Sequence, residues 1–196
     1  MYWKSTEINV LLPWIIVNDM DNFLDLLRQR RSTRKFLETD ISPDMVAELM
    51  RAALMSPSSK RTNPWEFVLV EDADMLKKLS LSKKHGSALI EGASLGVVVI
   101  ADKTQSDVWV EDASIAALII QLQAESLGLG SCWVQIRKRL DAQDRDSEDY
   151  VRELLGIPEK YGVLCILALG MKAEQRKAFD ESKLQWEKLH PEQFKH

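Results

Sequence analysis

Residues that carry covalent or metal chemistry are scarce in this chain. There are two cysteines in 196 residues, Cys132 and Cys165, both in apolar surroundings. That reads as two buried thiols in a reducing cytosol rather than a disulfide. The three histidines, His85, His190 and His196, stand far apart with no Cys, Asp or Glu pattern beside them, so no metal site is expected. Neither His nor Cys is placed as a convincing acid–base dyad with a Ser or Asp neighbour, and neither a Walker motif nor a nucleophile elbow occurs. An excess of positive charge is missing as well. The formal net charge is −4 and the isoelectric point about 5.5, which argues against a general nucleic-acid binder. The apolar run from Ile8 to Val17 is broken by Pro13 and follows a single Lys4. It is too short to span a bilayer and lacks the positive start and small-residue cleavage site of a signal peptide. Residues 1–19 are therefore expected to be an extension, poorly ordered or arising from a translation start placed upstream of Met20. If the chain is an enzyme, its side chains are ill suited to hard chemistry, and a cofactor is expected to carry the reactive atoms.

What is present is ordinary core material: 45% apolar and 29% charged residues, enough for one domain with a sizeable core. No repeat, low-complexity tract or Gly/Ser linker divides it. Asp21 or Asn22 can cap a helix bearing Phe23, Leu24, Leu26 and Leu27. Ser42-Pro43-Asp44 opens a second helix with a capping hydroxyl, a proline and an acid in its first turn. Its stripe is Val46, Leu49, Met50, Ala53 and Leu54, and Met45, Met50 and Met55 read as core filler. Glu66–Val70 is a strand, and Asp72 caps a short helix through Leu76 and Leu79. Leu95–Ala101 is a wholly apolar run of strand length, hence a central strand. Asp112 opens a long helix to Leu127, apolar around much of its circumference. Ser131–Ile136 is a strand, 146–155 a helix closed by Gly156, and Val163–Leu169 a second wholly apolar strand. From about residue 171 the chain is polar, with lone hydrophobes at Phe179, Leu184, Trp186 and Leu189. Such a tail has no core of its own and packs most simply on a partner subunit. Strand order stays open at this level.

One stretch stands out against the acidic background. Arg28-Gln29-Arg30-Arg31-Ser32-Thr33-Arg34-Lys35-Phe36 places five cations and two hydroxyls at a helix-to-coil boundary. Guanidiniums and a Ser hydroxyl can grip a phosphate dianion bidentately; a solvated basic face is the alternative. Arg28 and Lys35 read as solvated. Gly128-Leu129-Gly130 is not a dinucleotide fingerprint, because it follows a helix and precedes a strand, the reverse of what a pyrophosphate site needs.

Arg30-Arg31-Ser32-Thr33-Arg34-Lys35-Phe36 resembles the opening signature of the FMN-dependent nitroreductase family. Pro57-Ser58-Ser59 followed by Asn63-Pro64-Trp65-Glu66-Phe67 resembles its second signature, and Leu127-Gly128-Leu129-Gly130-Ser131-Cys132-Trp133 its third. The three stand in the family's order, and the likeness covers residues 20 to 180. It implies an α+β fold: a mixed or antiparallel sheet sandwiched by helices, in an intertwined homodimer with one FMN in each of two clefts between subunits. The nitroreductase-like domain would be 20–196, with a dimer-wrapping tail from about 171.

The resemblance also assigns residues. Arg30, Arg31, Ser32 and Arg34 would hold the FMN phosphate and ribityl chain. Arg176 is the match to the basic residue that completes the clamp, Lys172 a poorer one. Pro57, Ser58 and Ser59 would approach the isoalloxazine from the partner chain, and Asn63 would hydrogen-bond the ring edge. Gln135 and Ile136 would lie near flavin N5 and O4. Many relatives carry an acid-then-Gly pair at those two positions and a neutral Asn in place of Arg61. A cation near N1 and O2 would stabilise the reduced flavin; Arg34 is the first candidate and Arg61 the reserve. Trp65 reads as core or dimer interface.

The implied activity is a cytoplasmic, NAD(P)H-dependent oxidoreductase. Hydride would pass through flavin N5 to a nitroaromatic, quinone or similar small electron-poor acceptor by a ping-pong scheme, with no side chain as acid–base catalyst. Two alternatives stand beside it: the same fold and FMN used for dehalogenation or another dehydrogenation, or a non-enzymatic phospholigand or nucleic-acid binder built on the basic stretch. The spacing between signatures leaves no long lid insertion, which favours a plain reductase.

Overall fold

The computed structural model describes residues 20–194, so the expectation for residues 1–19 lies outside it. Nine main elements follow in the order α1 (Met20–Gln29), α2 (Pro43–Leu54), β1 (Trp65–Val70), α3 (Ala73–Leu79), β2 (Leu95–Asp102), α4 (Trp109–Ser126), β3 (Leu129–Gln135), α5 (Ser147–Leu155) and β4 (Tyr161–Met171). The sheet order is β1-β2-β4-β3, and every neighbouring pair is antiparallel.

The two wholly apolar strands, β2 and β4, are the central pair, because both sheet faces are covered. Val97, Val99, Leu167 and Leu169 pack toward α2 and α4 in one core. Val98, Ile100, Ile166 and Ala168 pack toward α3 and α5 in the other. Continuous apolar runs of this kind are commoner in parallel sheets; helices on both faces require them here too. The alternation breaks once, where Val99 pairs with Cys165 but Ile100 with Val163. Leu164 is the extra residue of this bulge, and its carbonyl accepts from both Ile136 and Arg137 N–H at 3.1 Å. The bulge thereby fixes how the chain leaves β3.

Local rules account for most helix ends. Ser42 caps α2 by accepting from Met45 N–H, Asp72 caps α3, and Asp146 caps α5, which closes on left-handed Gly156. Three expectations need correction. The first helix is already under way at Met20, so Asp21 and Asn22 sit inside its first turn rather than before it. The long helix starts at Trp109, and Asp112 lies within it, its own N–H donating to Val108 O at 3.1 Å. Its carboxylate is occupied elsewhere, as the site will show. Met55 and Leu54 are exposed rather than core, because the stripe of α2 that meets the sheet runs through Leu49 and Ala53.

Large apolar side chains remain on the surface of the single chain. Phe23, Leu24 and Leu27 of α1 are exposed, as are Ile115 and Leu118 of α4 at 42% and 48%. With half-buried Ile119 and Leu122 they give α4 a second stripe at i, i+3, i+4 and i+7, opposite the Ala113, Ala117, Ile120, Ala124 stripe that faces the sheet. The tail, 172–194, carries exposed Phe179, Leu184, Trp186, Leu189 and Phe194. Among the described residues, no helix is long and apolar enough to cross a membrane.

Candidate functional site

The basic segment is held across one end of the sheet. Helix α1 stops at Gln29, and the chain continues extended. Ser32 forms a parallel bridge with Ser131 of β3, and Thr33 N–H donates to Ser131 O at 2.9 Å. Four residues on, Phe36 bridges Lys172 just past β4, with Leu37 N–H donating to Met171 O at 2.9 Å. Two glycines that are register partners, Gly130 and Gly170, make the trough for this crossing. A Cβ on Gly130 would lie 2.6 Å from Thr33 Cγ2, and one on Gly170 would lie 2.9 Å from Phe36 Cδ1. The third signature's glycine therefore serves the first signature's threonine.

Extended backbone sends alternate side chains to opposite sides. Thr33 turns into the trough and is buried, while Ser32 and Arg34 turn to the buried Cys132 thiol. Burial pushes that thiol's pKa up, with Arg34, Ser32 and Lys83 pulling weakly the other way. A neutral, enclosed thiol is packing, not a nucleophile.

Arg31, on the Thr33 side, is already engaged. Its guanidinium donates to the carbonyls of Arg28, Arg30 and Lys177 and stacks 5.3 Å from the Phe179 ring. Arg28, expected to be solvated, pairs with Asp25 and Glu181. Together they tie the tail to the end of α1. Under that tie lies a cavity of about 530 Å³, lined by Gln29, Arg31, Thr33, Glu125, Lys172 and Arg176 among others. Lys172 pairs with Glu125 at 2.6 Å and Arg176 with Glu174 at 3.0 Å. Arg30 and Arg34 have no ion pair among the described residues, so they remain open to a ligand's anion.

The second signature folds as a strained loop. Lys60, Arg61 and Asn63 all have positive φ, at 52°, 58° and 45°, an uncommon concentration of left-handed backbone without glycine. Ser58 Oγ donates to Asn63 Oδ1 at 2.7 Å and accepts from Asn63 N–H at 2.8 Å, closing the loop on itself. Asp112 anchors it: one carboxylate oxygen accepts Ser59 N–H at 2.8 Å and the other accepts Ser106 Oγ–H at 3.0 Å. Asp112 is 3% exposed, so this is a buried, charge-assisted tether. Asp112→Ala is expected to leave Ser59 N–H without its acceptor and to raise amide hydrogen exchange through 58–63 at least tenfold, while Asp112→Asn, which keeps an acceptor oxygen, largely restores protection.

Gln135 and Ile136 occupy the exit of β3. Gln135 is half-buried; its Oε1 accepts from Trp133 Nε1 at 2.9 Å and its Nε2 donates to Arg137 O at 3.1 Å. Ile136 is fully buried, its N–H donating to Leu164 O at 3.1 Å and its carbonyl accepting from Arg139 N–H at 3.0 Å.

The structure thus brings Arg31, Lys172 and Arg176 to one cavity and sets Arg30, Ser32 and Arg34 along the start of β3. It does not bring Pro57, Ser58, Ser59, Arg61 and Asn63 to them. Trp65, two residues past that loop, pairs with Ala101, which pairs with Gly162 at the end of the sheet opposite Lys172. At about 3.3 Å per residue along a strand and about 4.8 Å between strands, the halves stand on the order of 30 Å apart. Sequence reasoning missed Asp112, taken only as a helix start, and Lys83 and Glu125, which no local pattern distinguishes from surface charges. Lys83 shares the Cys132 neighbourhood with Arg34.

Known proteins share this architecture. The nitroreductase family model matches residues 27–85 and 75–171. A protein of Archaeoglobus fulgidus, named among the NADH dehydrogenase/NAD(P)H nitroreductases, is 32% identical over 180 residues, covering 89% of this chain and 100% of its own. One of Methanothermobacter thermautotrophicus with the same designation is 31% identical over 195 residues, covering 96% and 98%. A solved structure from Clostridium difficile R20291, described as an FMN-dependent nitroreductase, superposes with a TM-score of 0.86 at 43% identity, over 87% of this chain and 99% of that one. The fold and site define an α+β oxidoreductase. The chain belongs to the nitroreductase family.

Proposed function

We propose that this chain is an FMN-dependent oxidoreductase that takes hydride from NAD(P)H and passes it to a small electron-poor acceptor such as a nitroaromatic or quinone. It works as a homodimer. The observation that carries this reading is the cavity of about 530 Å³ lined by Arg31, Lys172 and Arg176, beside a segment that presents Arg30, Ser32 and Arg34 without carboxylate partners. That donor set suits a phosphorylated flavin: guanidiniums for the phosphate dianion, a hydroxyl for the ribityl chain, and Arg34 as a cation further along. The chemistry available to a flavin held there would be reversible hydride acceptance at a ring nitrogen.

The chain's own part is positioning and field. Arg30, Arg31 and Arg176 would hold the phosphate, and Arg34 would supply a cation toward the ring system. Arg61 keeps its reserve role from the second loop. Gln135 and the backbone at Ile136 would border the reactive face. Pro57, Ser58, Ser59 and Asn63 act on the partner's flavin, since they lie too far from their own chain's arginines. The exposed apolar stripes of α1 and α4 and the exposed hydrophobes of the tail support that pairing, since a second copy would bury them. Donor and acceptor use one cleft in turn, which makes the kinetics ping-pong.

The purified protein is expected to be yellow, to bleach with dithionite, and to be reduced by a nicotinamide coenzyme in anaerobic stopped-flow at a rate that supports turnover. A colourless protein that does not bind added FMN ends this reading.

A further inference from the structure

Two basic runs lie side by side next to this site. Lys83-Lys84-His85 follows α3, and Arg137-Lys138-Arg139 leaves β3 directly after Gln135 and Ile136. A hydrogen bond from Lys84 N–H to Leu140 O, 3.0 Å long, joins the two loops. The first run borders a cavity of about 310 Å³ lined by Lys83, Lys84, His85, Gln143 and Tyr150 among others, and the second run lies next to it through that bond. Lys138 has φ 57°, which turns the second run sharply, and Gly86, at φ +81°, lies under the folded-back Lys83 side chain, whose Nζ is 3.6 Å from where a Cβ would be.

Counter-ions are unequally distributed here. Lys84 pairs with Asp144 at 3.6 Å, and Asp141 is taken by Arg145. Arg137 leans on the Trp109 indole, 5.5 Å from its centroid. Lys83, Lys138 and Arg139 make no ion pair within 4.0 Å among the described residues. Burial and the neighbouring Arg139 both lower the Lys83 ammonium pKa, as unbalanced positive charge does when no anion is present. Lys83 and Arg34 flank the same Cys132, so this rim is continuous with the proposed flavin cradle without being part of the phosphate clamp. An acidic protein has concentrated unneutralised cations where a second anion is needed.

We propose that the rim formed by Lys83 and Arg139 receives the 2′-phosphate of NADPH, and that the chain therefore uses NADPH in preference to NADH. The two coenzymes share their nicotinamide and differ by this one dianion. A guanidinium and an ammonium with no carboxylate to release first discriminate between them at full strength. Arg139 offers the bidentate fork and Lys83 a point charge. The proposal rests on the flavin reading for its reaction and adds the identity of the donor.

The test uses the flavin-loaded protein. Reduction is followed by anaerobic stopped-flow with NADPH and with NADH, for the natural chain, Arg139→Ala and Arg139→Lys. Binding of 2′,5′-ADP and of 5′-AMP is measured by calorimetry on the same samples. Expected are an apparent NADPH Kd about tenfold or more below that of NADH, and binding of 2′,5′-ADP well above 5′-AMP. Arg139→Ala is expected to weaken NADPH and 2′,5′-ADP about tenfold or more and to leave NADH unchanged. Arg139→Lys should keep most of the preference, and added salt should weaken NADPH more than NADH. Equal use of both coenzymes by a yellow natural protein, or equal weakening of both by Arg139→Ala, overturns the inference and leaves the flavin reading standing. Inhibition at this rim by anionic acceptors but not by 2′,5′-ADP overturns it as well. A colourless protein removes the flavin reading instead, and the calorimetry still reports on the phosphate site.

Discussion

Gly130→Val is expected to purify without flavin and to melt several degrees below the natural protein. The reason is geometric. The first atom of any side chain at 130 would fall 2.6 to 2.8 Å from Thr33 Cγ2, Cβ and Oγ1. Thr33 is 2% exposed and its N–H is bonded to Ser131 O, so the segment can move away only by breaking its attachment to β3. Overpacking of this kind costs about 1–3 kcal/mol, which for a domain of this size lowers Tm by roughly 2–4 °C per kcal/mol. The functional loss should be larger than the stability loss, because the displaced residues are those between Arg31 and Arg34. Retained flavin is read from the visible absorbance, and Tm from calorimetry. Gly92→Ala is the control: its nearest neighbour, Leu89 O, is 4.0 Å from the new Cβ, and Tm there should barely change. A Gly130→Val protein that keeps a full complement of FMN would mean that the arginine segment does not hold it.

Leu118→Asp is expected to convert a dimer into a monomer and to strip the flavin with it. Leu118 sits in the outward stripe of α4, a helix that contacts α1, whose Phe23, Leu24 and Leu27 are exposed as well. Each buried, unpaired carboxylate costs several kcal/mol, and a twofold interface contains the substitution twice. Dimer dissociation should rise by a factor of about 100 or more, since each 1.4 kcal/mol is tenfold. Flavin should be lost with it on the proposed two-copy site, where the loop Pro57–Asn63 of one copy and the segment Arg30–Arg34 of the other would border one ligand. Sedimentation and absorbance on the same samples check both parts. A natural protein that is monomeric and yellow would refute the two-copy site.

Much of the chain's local structure was readable before folding was considered. Ser42-Pro43, Asp72 and Asp146 start helices for reasons confined to a few residues, and Gly156 ends one in the same way. The two apolar runs at 95–101 and 163–169 announced central strands, because a strand with no polar face has nowhere to go but the middle of a covered sheet. The three motifs pointed to the family through their order. Asp112 shows the limit of that reading. As a letter it is a helix-opening acid; in the fold it lies one turn inside α4 and holds a loop 53 residues away. Gly130, legible only as a glycine between a helix and a strand, lies within β3 with its close contact at Thr33.

Element types, the cationic segment and the scarcity of groups for direct chemistry are local properties, since they follow from composition and from periodicities of a few residues. The antiparallel order β1-β2-β4-β3, the glycine trough, the engagement of Arg31 by carbonyls and the separation of the two signature loops to opposite ends of the sheet arise in the folded chain alone. Those depend on which distant residues meet, and that is set by burying both faces of β2 and β4 at once rather than by any local preference.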